Sequence, residues 1–287
     1  MPSTLLHLAQ RNFEIIHGKK MKNPSVKNPH RIGSRFAYTW EMLPSEVGSL
    51  IDYGCFNGEL LSSLKGVVKS LTGVDRNVEQ IESAKQKIKG VYFSVVTDVR
   101  TNFQNSEFDA ATCLEVMEHV PSEKNLIQEL ARILKPNGVL VLSVPHRGSL
   151  TFLDTGNFKF KFPSLVKYYY YFIKRDRSAY RQRFVEARNG MIGDVSISDN
   201  MEHKHYIFDE IEKILYPYFR IEKAVTYGFF TPIIDISKGI FCLIFGLKFL
   251  RPFFEYLDDF DKRFSYGNAS YNIIVKCVRN SDVSTDH

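Results

Sequence analysis

From residue 49 onward, compact apolar runs alternate with longer amphipathic ones. Residues 49–53, 71–75, 91–95, 108–114 and 139–144 are dense in Leu, Ile, Val, Phe and Tyr. Runs of that length with little polar alternation predict strands buried on both faces. Residues 36–43, 59–69, 77–89 and 122–134 instead space their apolar side chains for one face of a helix. Lys135-Pro136-Asn137-Gly138 reads as a tight turn into the fifth strand. A further helix over 208–216 and strands over 221–227 and 270–278 bring the strand total to seven. This alternation predicts a mostly parallel sheet covered on both faces, with any ligand at the carboxyl ends of the strands.

Two stretches break the rhythm, 146–204 and 228–268. The pattern therefore predicts one domain with two insertions. Residues 1–35 form an N-terminal arm or lid, and 281–287 a frayed tail. The arm is basic, and its Arg31, with Arg35 just beyond it, could reach a ligand carboxylate through two parallel hydrogen bonds. The first insertion interleaves Lys159, Lys161, Lys167, Lys174, Arg175, Arg177 and Arg181 with Phe158, Phe160, Phe162, Phe172, Tyr180 and the run 168–171. A helical cap and a membrane-surface face (159–188) both fit this mix. Nucleic acid would also suit it, but no nucleic-acid module accompanies it. The second insertion is the most apolar stretch of the chain, with Asp235, Lys238 and Lys248 interrupting 229–257. It is too broken to span a bilayer, and suits a helix in the membrane interface, a buried helix or a homodimer contact.

Composition changes this picture little. Lys and Arg exceed Asp and Glu by 38 to 32 in 287 residues, and the pI is about 9.0. That excess favours an acidic partner without choosing one. The four cysteines, Cys55, Cys113, Cys242 and Cys277, form no C-x-x-C pair and read as reduced thiols of a cytoplasmic protein. The N-terminus lacks the apolar run of a signal peptide.

Chemistry concentrates at the expected strand ends. The first strand runs into Asp52-x-Gly54-x-x-x-Gly58, a turn that opens a helix and lets a ligand approach bare backbone. Asp75 ends the second strand, at the right distance beyond the glycines to hold ribose hydroxyls, with Arg76 beside it. Asp98 with the amide of Val99 offers the acceptor and donor that an adenine edge needs. Glu115 follows the fourth strand. Together they describe a pocket for an adenosine with an extended substituent.

The ordered set of the glycine turn, Gly73-Val74-Asp75, Thr97-Asp98-Val99, Phe108-Asp109, Leu114-Glu115-Val116-Met117-Glu118-His119-Val120 and Leu130-x-Arg132-Ile133-Leu134-Lys135-Pro136-x-Gly138 resembles class I S-adenosylmethionine-dependent methyltransferases. The Glu-Val-x-Glu-His run is similar to the ubiquinone-pathway O-methyltransferases and to methyltransferases of bacterial glycan clusters. The resemblance implies a Rossmann-like seven-stranded sheet whose last strand is antiparallel, over a domain of 36–280. It implies S-adenosyl-L-methionine as donor, with Gly54, Cys55, Asn57 and Gly58 around the methionine part and Glu115 near its amino group. Asp75 would hold the ribose, and Asp98 with Val99 the adenine. Asp52 either borders the methionine or braces the loop. Phe56 departs from the family's glycine at its position. Either the loop keeps φ < 0 there and the ring points away, or cofactor binding is weakened.

A methyl on a sulfonium is already activated, so the protein mainly aligns the acceptor; a hydroxyl acceptor also needs a base. His119, His146, His203 and His205 are the candidates, each also readable as a structural histidine. Glu115, Glu118 and His119 offer a secondary reading as ligands of a divalent metal. Two insertions of this kind favour a glycan, lipid-linked or other membrane-proximal hydroxyl acceptor, on the cytoplasmic face of a membrane. RNA or quinone-precursor methylation is the enzymatic alternative, and a catalytically silent binding module the non-enzymatic one.

Overall fold

The computed structural model describes residues 35–154, 157, 162–181 and 204–281. Expectations for the rest of the arm, for Arg31, for His203 and for the tail beyond Ser281 lie outside them.

A seven-stranded sheet carries the molecule, in the order β3-β2-β1-β4-β5-β7-β6. The strands are β1 Ser49–Tyr53, β2 Ser70–Asp75, β3 Tyr92–Val95, β4 Phe108–Leu114, β5 Leu134–Pro145, β6 Phe219–Tyr227 and β7 Asn272–Arg279. Pairings from β3 through β5 are parallel. β7 inserts antiparallel between β5 and β6. β5 begins earlier than the sequence suggests. The turn of residues 135–138 is absorbed as an irregularity against β4, with Asn137 at φ 60.

Helices cover both faces: α1 Arg35–Met42, α2 Glu59–Leu64, α3 Val78–Lys87, α4 Glu123–Ile133 and, beyond the first insertion, α7 Phe208–Leu215. The insertion contributes the short α5 Pro163–Tyr168 and α6 Arg177–Arg181. Caps set the boundaries. Asn77 accepts from Gln80 N to start α3, and Ser122 from Asn125 N to start α4. α2 stops at Leu64, short of the expected residue 69, because Gly66 turns at φ 81 and Val68 pairs with Lys65. α4 buries Leu126, Ile127, Leu130 and Ile133 against one face of the sheet. Leu60, Leu61, Ile81 and Ala84 close the other.

The second insertion is a helical hairpin. α8 Thr231–Lys238 continues as a wider turn over Gly239–Ile244, and α9 Arg251–Asp261 returns. Ile234, Cys242 and Phe254 make its small core. Asp261 Oδ2 accepts from Phe229 N and Phe230 N at 2.8 Å each, closing its base. No described helix is long and apolar enough to cross a membrane.

Candidate active site

Strand order reverses direction at β1, flanked by β2 and β4, which is where doubly wound sheets open a crevice. The glycine loop fills that point. Gly54 has φ 83, and a Cβ there would lie 2.2 Å from Val116 Cγ2; Gly58 has φ 75. Only glycine meets both demands at Gly54. Gly54 N and Cys55 N both donate to Val74 O, pinning the loop to β2. Asn57 Oδ1 accepts from Glu59 N at the start of α2.

Phe56 does not keep φ < 0. It sits at φ 47, and the residue is 53% exposed. The cause is a hydrogen bond: Phe56 N donates to Asp75 Oδ2 at 2.8 Å, while Asp75 Oδ1 accepts from Asn77 N at 2.8 Å. Each oxygen keeps a second lone pair, so the carboxylate that shapes the loop can still accept from ligand hydroxyls. Cys55 offers the loop its backbone only, since its thiol is buried against Gly73 and burial pushes its pKa up.

Asp52 is buried under the loop and accepts from Thr112 Oγ1 at 2.6 Å. Burial raises its pKa to about 6, against the pull of Thr112 and Arg35. Arg35, at the head of α1, acts electrostatically on Asp52, Glu118 and Tyr227, which places its charge over this corner. Arg76 and Asp98 are exposed at the neighbouring strand ends. The Val99 amide departs from expectation. It donates to Asp98 Oδ1 at 2.6 Å instead of standing open, while Val99 O accepts from Tyr53 Oη at 2.7 Å.

Glu115 takes φ 57 and accepts from Ser143 Oγ at 2.7 Å, so its carboxylate is aimed by β5. Glu118 is buried, and burial followed by the Glu115 charge holds its pKa well above the carboxylate range. His119 Nε2 lies 3.8 Å from Glu118 Oε1. Among the described residues no three His, Cys, Asp or Glu side chains gather as metal ligands, so Glu115, Glu118 and His119 do not assemble the set the sequence allowed.

His146 and His205 flank the far side of the mouth. His146 Nδ1 faces the Ser270 carbonyl at 2.9 Å; a carbonyl only accepts, so Nδ1 carries the proton. Burial lowers its pKa and keeps the ring neutral. His205 is joined by two groups that the sequence reading missed, Asp154 in the loop after β5 and Tyr271 ahead of β7. Neither lies in a motif or a periodic run, so no local signal marked them.

A family model for a methyltransferase domain matches residues 26–189, more than half of the chain. The chain belongs to this methyltransferase family, and its sheet is the class I S-adenosylmethionine-dependent methyltransferase fold. Among curated relatives, the ubiquinone biosynthesis O-methyltransferase of Haemophilus ducreyi is 37% identical over 136 residues, 44% of this chain and 58% of that protein. The enzyme of the same name from Xanthomonas oryzae is 33% identical over 125 residues, 41% and 52% of the two chains. The matches thus span little more than half the length of these relatives. Solved structures agree on the fold. A putative S-adenosylmethionine-dependent methyltransferase from Listeria monocytogenes aligns at TM-score 0.50 and 14% identity over 85% and 97% of the two chains. The [4+2]-cyclase SpnF aligns at 0.52 and 15% over 96% and 91%.

Proposed function

We propose that this chain transfers the methyl group of S-adenosylmethionine to a hydroxyl oxygen. The observation that carries this reading is the row of acids at the carboxyl ends of β1 to β4, gathered around a glycine loop that tolerates no side chain at Gly54. Gly54, Asn57 and Gly58 would wrap the methionine part, with Glu115 beside its amino group and Arg35 toward its carboxylate. Asp75 would hold the ribose, and Asp98 the adenine. The cofactor supplies an activated methyl; the protein holds the acceptor in line, excludes water and takes a proton.

The names of the relatives favour O-methylation and a quinone-type phenol as the acceptor. They lend no support to a glycan. An apolar phenol also suits a membrane-facing enzyme. The hairpin exposes Phe241, Phe245, Phe249, Phe253, Tyr256 and Phe260, and Lys248 and Arg251 flank Phe249. Such a face suits the interface of an anionic bilayer. In this reading residues 36–280 act as one catalytic domain.

Calorimetry with S-adenosylmethionine and S-adenosylhomocysteine tests the core of the proposal. Micromolar binding of both is expected. Absence of measurable binding would return the chain to the reading of a silent fold.

A further inference from the structure

Folding alone does not account for Phe56. Its φ lies in the left-handed region, which a bulky side chain enters at a cost. Packing recovers little of that cost, because the residue stays largely exposed and joins none of the described hydrophobic clusters. The preceding Cys55 is buried, so the loop faces the core at one position and solvent at the next. An apolar side chain that is both strained and wet in the free protein points to a ligand that covers it.

The backbone around it is fixed. Cys55 N donates to Val74 O on β2 at 2.9 Å, and Gly58 N to Cys55 O at 2.8 Å, so the loop is held on both sides of residue 56. Phe56 N itself donates to Asp75 Oδ2. The side chain therefore starts from a point fixed beside this carboxylate, at the crevice where the strand order reverses. The other backbone donor to Asp75, Asn77 N, is followed by Val78, which is also exposed. Both segments that hold Asp75 thus carry an exposed apolar side chain.

A ribose suits that combination. Its hydroxyls need a charged acceptor, and its C–H edge needs apolar cover. A hydrogen bond from hydroxyl to carboxylate gains strength where water is kept away. Asp75 has a lone pair left on each oxygen to accept it, and the neighbouring ring can keep the water out.

We propose that Phe56 is a specificity-determining residue of the donor site: its ring closes over the ribose held by Asp75, and the positive φ is what delivers the ring there. This rests on the proposed binding of S-adenosylmethionine and assigns the ring to the nucleoside end of that donor, not to its amino acid. The strain at residue 56 is then part of the site, because relaxing the loop would carry the cover away from the carboxylate.

Calorimetry on the full chain tests this with two probes, S-adenosylhomocysteine and methylthioadenosine, the second of which keeps the nucleoside and drops the amino acid. Phe56→Ala and Phe56→Gly should each bind both probes about fivefold more weakly than wild type, the loss expected when part of a ring no longer covers apolar surface. Phe56→Tyr should bind as wild type does. Thermal melts of the free proteins read the backbone separately. Phe56→Gly should melt a few degrees above Phe56→Ala, since only the alanine keeps a Cβ at positive φ. Undiminished affinity in folded Phe56→Ala and Phe56→Gly overturns the proposal, as does a loss confined to S-adenosylhomocysteine, which would put the ring at the amino-acid end. A Phe56→Gly protein that melts below Phe56→Ala overturns the part given to φ. If wild type binds neither probe, this proposal and the methyltransferase reading fall together; if wild type binds and the variants match it, this proposal alone falls.

Discussion

Asp52 sits in the sheet under the glycine loop, and burial raises its pKa to about 6 from an ordinary value near 4. Between those values the folded state binds more protons than the unfolded one, so stability falls as pH rises from about 4 through 6. Glu118 adds a slope of the same sign. Asp52→Asn keeps an acceptor for Thr112 and removes one titration. Urea unfolding between pH 4 and 7 should show a slope shallower by about 2 kcal/mol over that range; an unchanged slope would show that Asp52 titrates normally. Residue types at this scale were readable, but their orientations were not. Asp52, Asp75, Asp98 and Glu115 were named from strand ends alone. Nothing local could show that Phe56 takes a positive φ to reach Asp75, or that Val99 N turns onto its own neighbour. Both depend on hydrogen bonds formed only once the loops have a sheet to rest on.

At the scale of elements, α4 shows how a motif can be structural. Arg132 Nε and Nη2 donate to Glu129, Nη1 to Phe103 O and Asn105 Oδ1, and Nη2 also to Thr101 O. Glu129 in turn accepts from Thr101 N and Oγ1. All five donors of the guanidinium are used in a nearly dry place, and they fasten the loop after β3 to α4. Arg132→Ala leaves Glu129 buried without its countercharge. A loss of about 3–5 kcal/mol is expected in denaturant titration, and a cost under 1 kcal/mol would refute the bracing role. The strands were legible because parallel strands buried on both faces must be apolar throughout. The end of α2 and the early start of β5 were not, since a glycine and a bulge decided them against the periodicity. The second insertion read as one apolar stretch, because a fold-back with its own small core leaves no period that spans both helices.

For the molecule as a whole, the outward aromatic face of the hairpin is the feature least explained by internal packing. Phe249 is 76% and Phe253 54% exposed, so changing both to Asp should leave the melting temperature nearly unaltered. Flotation with vesicles containing phosphatidylglycerol should then drop several-fold relative to wild type. Equal flotation of the two proteins would remove the membrane from the proposed function. That the sheet is mostly parallel and covered on both faces followed from strand alternation. The seat of β7 did not follow from it, because alternation says nothing of which edge a late strand joins.

The seat of β7 also bears on how the protein is made. Its Arg279 holds the Leu134 carbonyl across 145 residues of chain, and among the described residues β6 has no sheet partner except β7. At about 5–20 residues per second, a ribosome needs roughly 7–30 seconds between delivering the two ends of that contact. Throughout that interval β5 is a bare, apolar edge of the nascent sheet, the kind that invites pairing with a stranger. The same edge later runs into His146, beside the site proposed for methyl transfer, so the strand that borders the proposed site is also the one that stays longest without its neighbour.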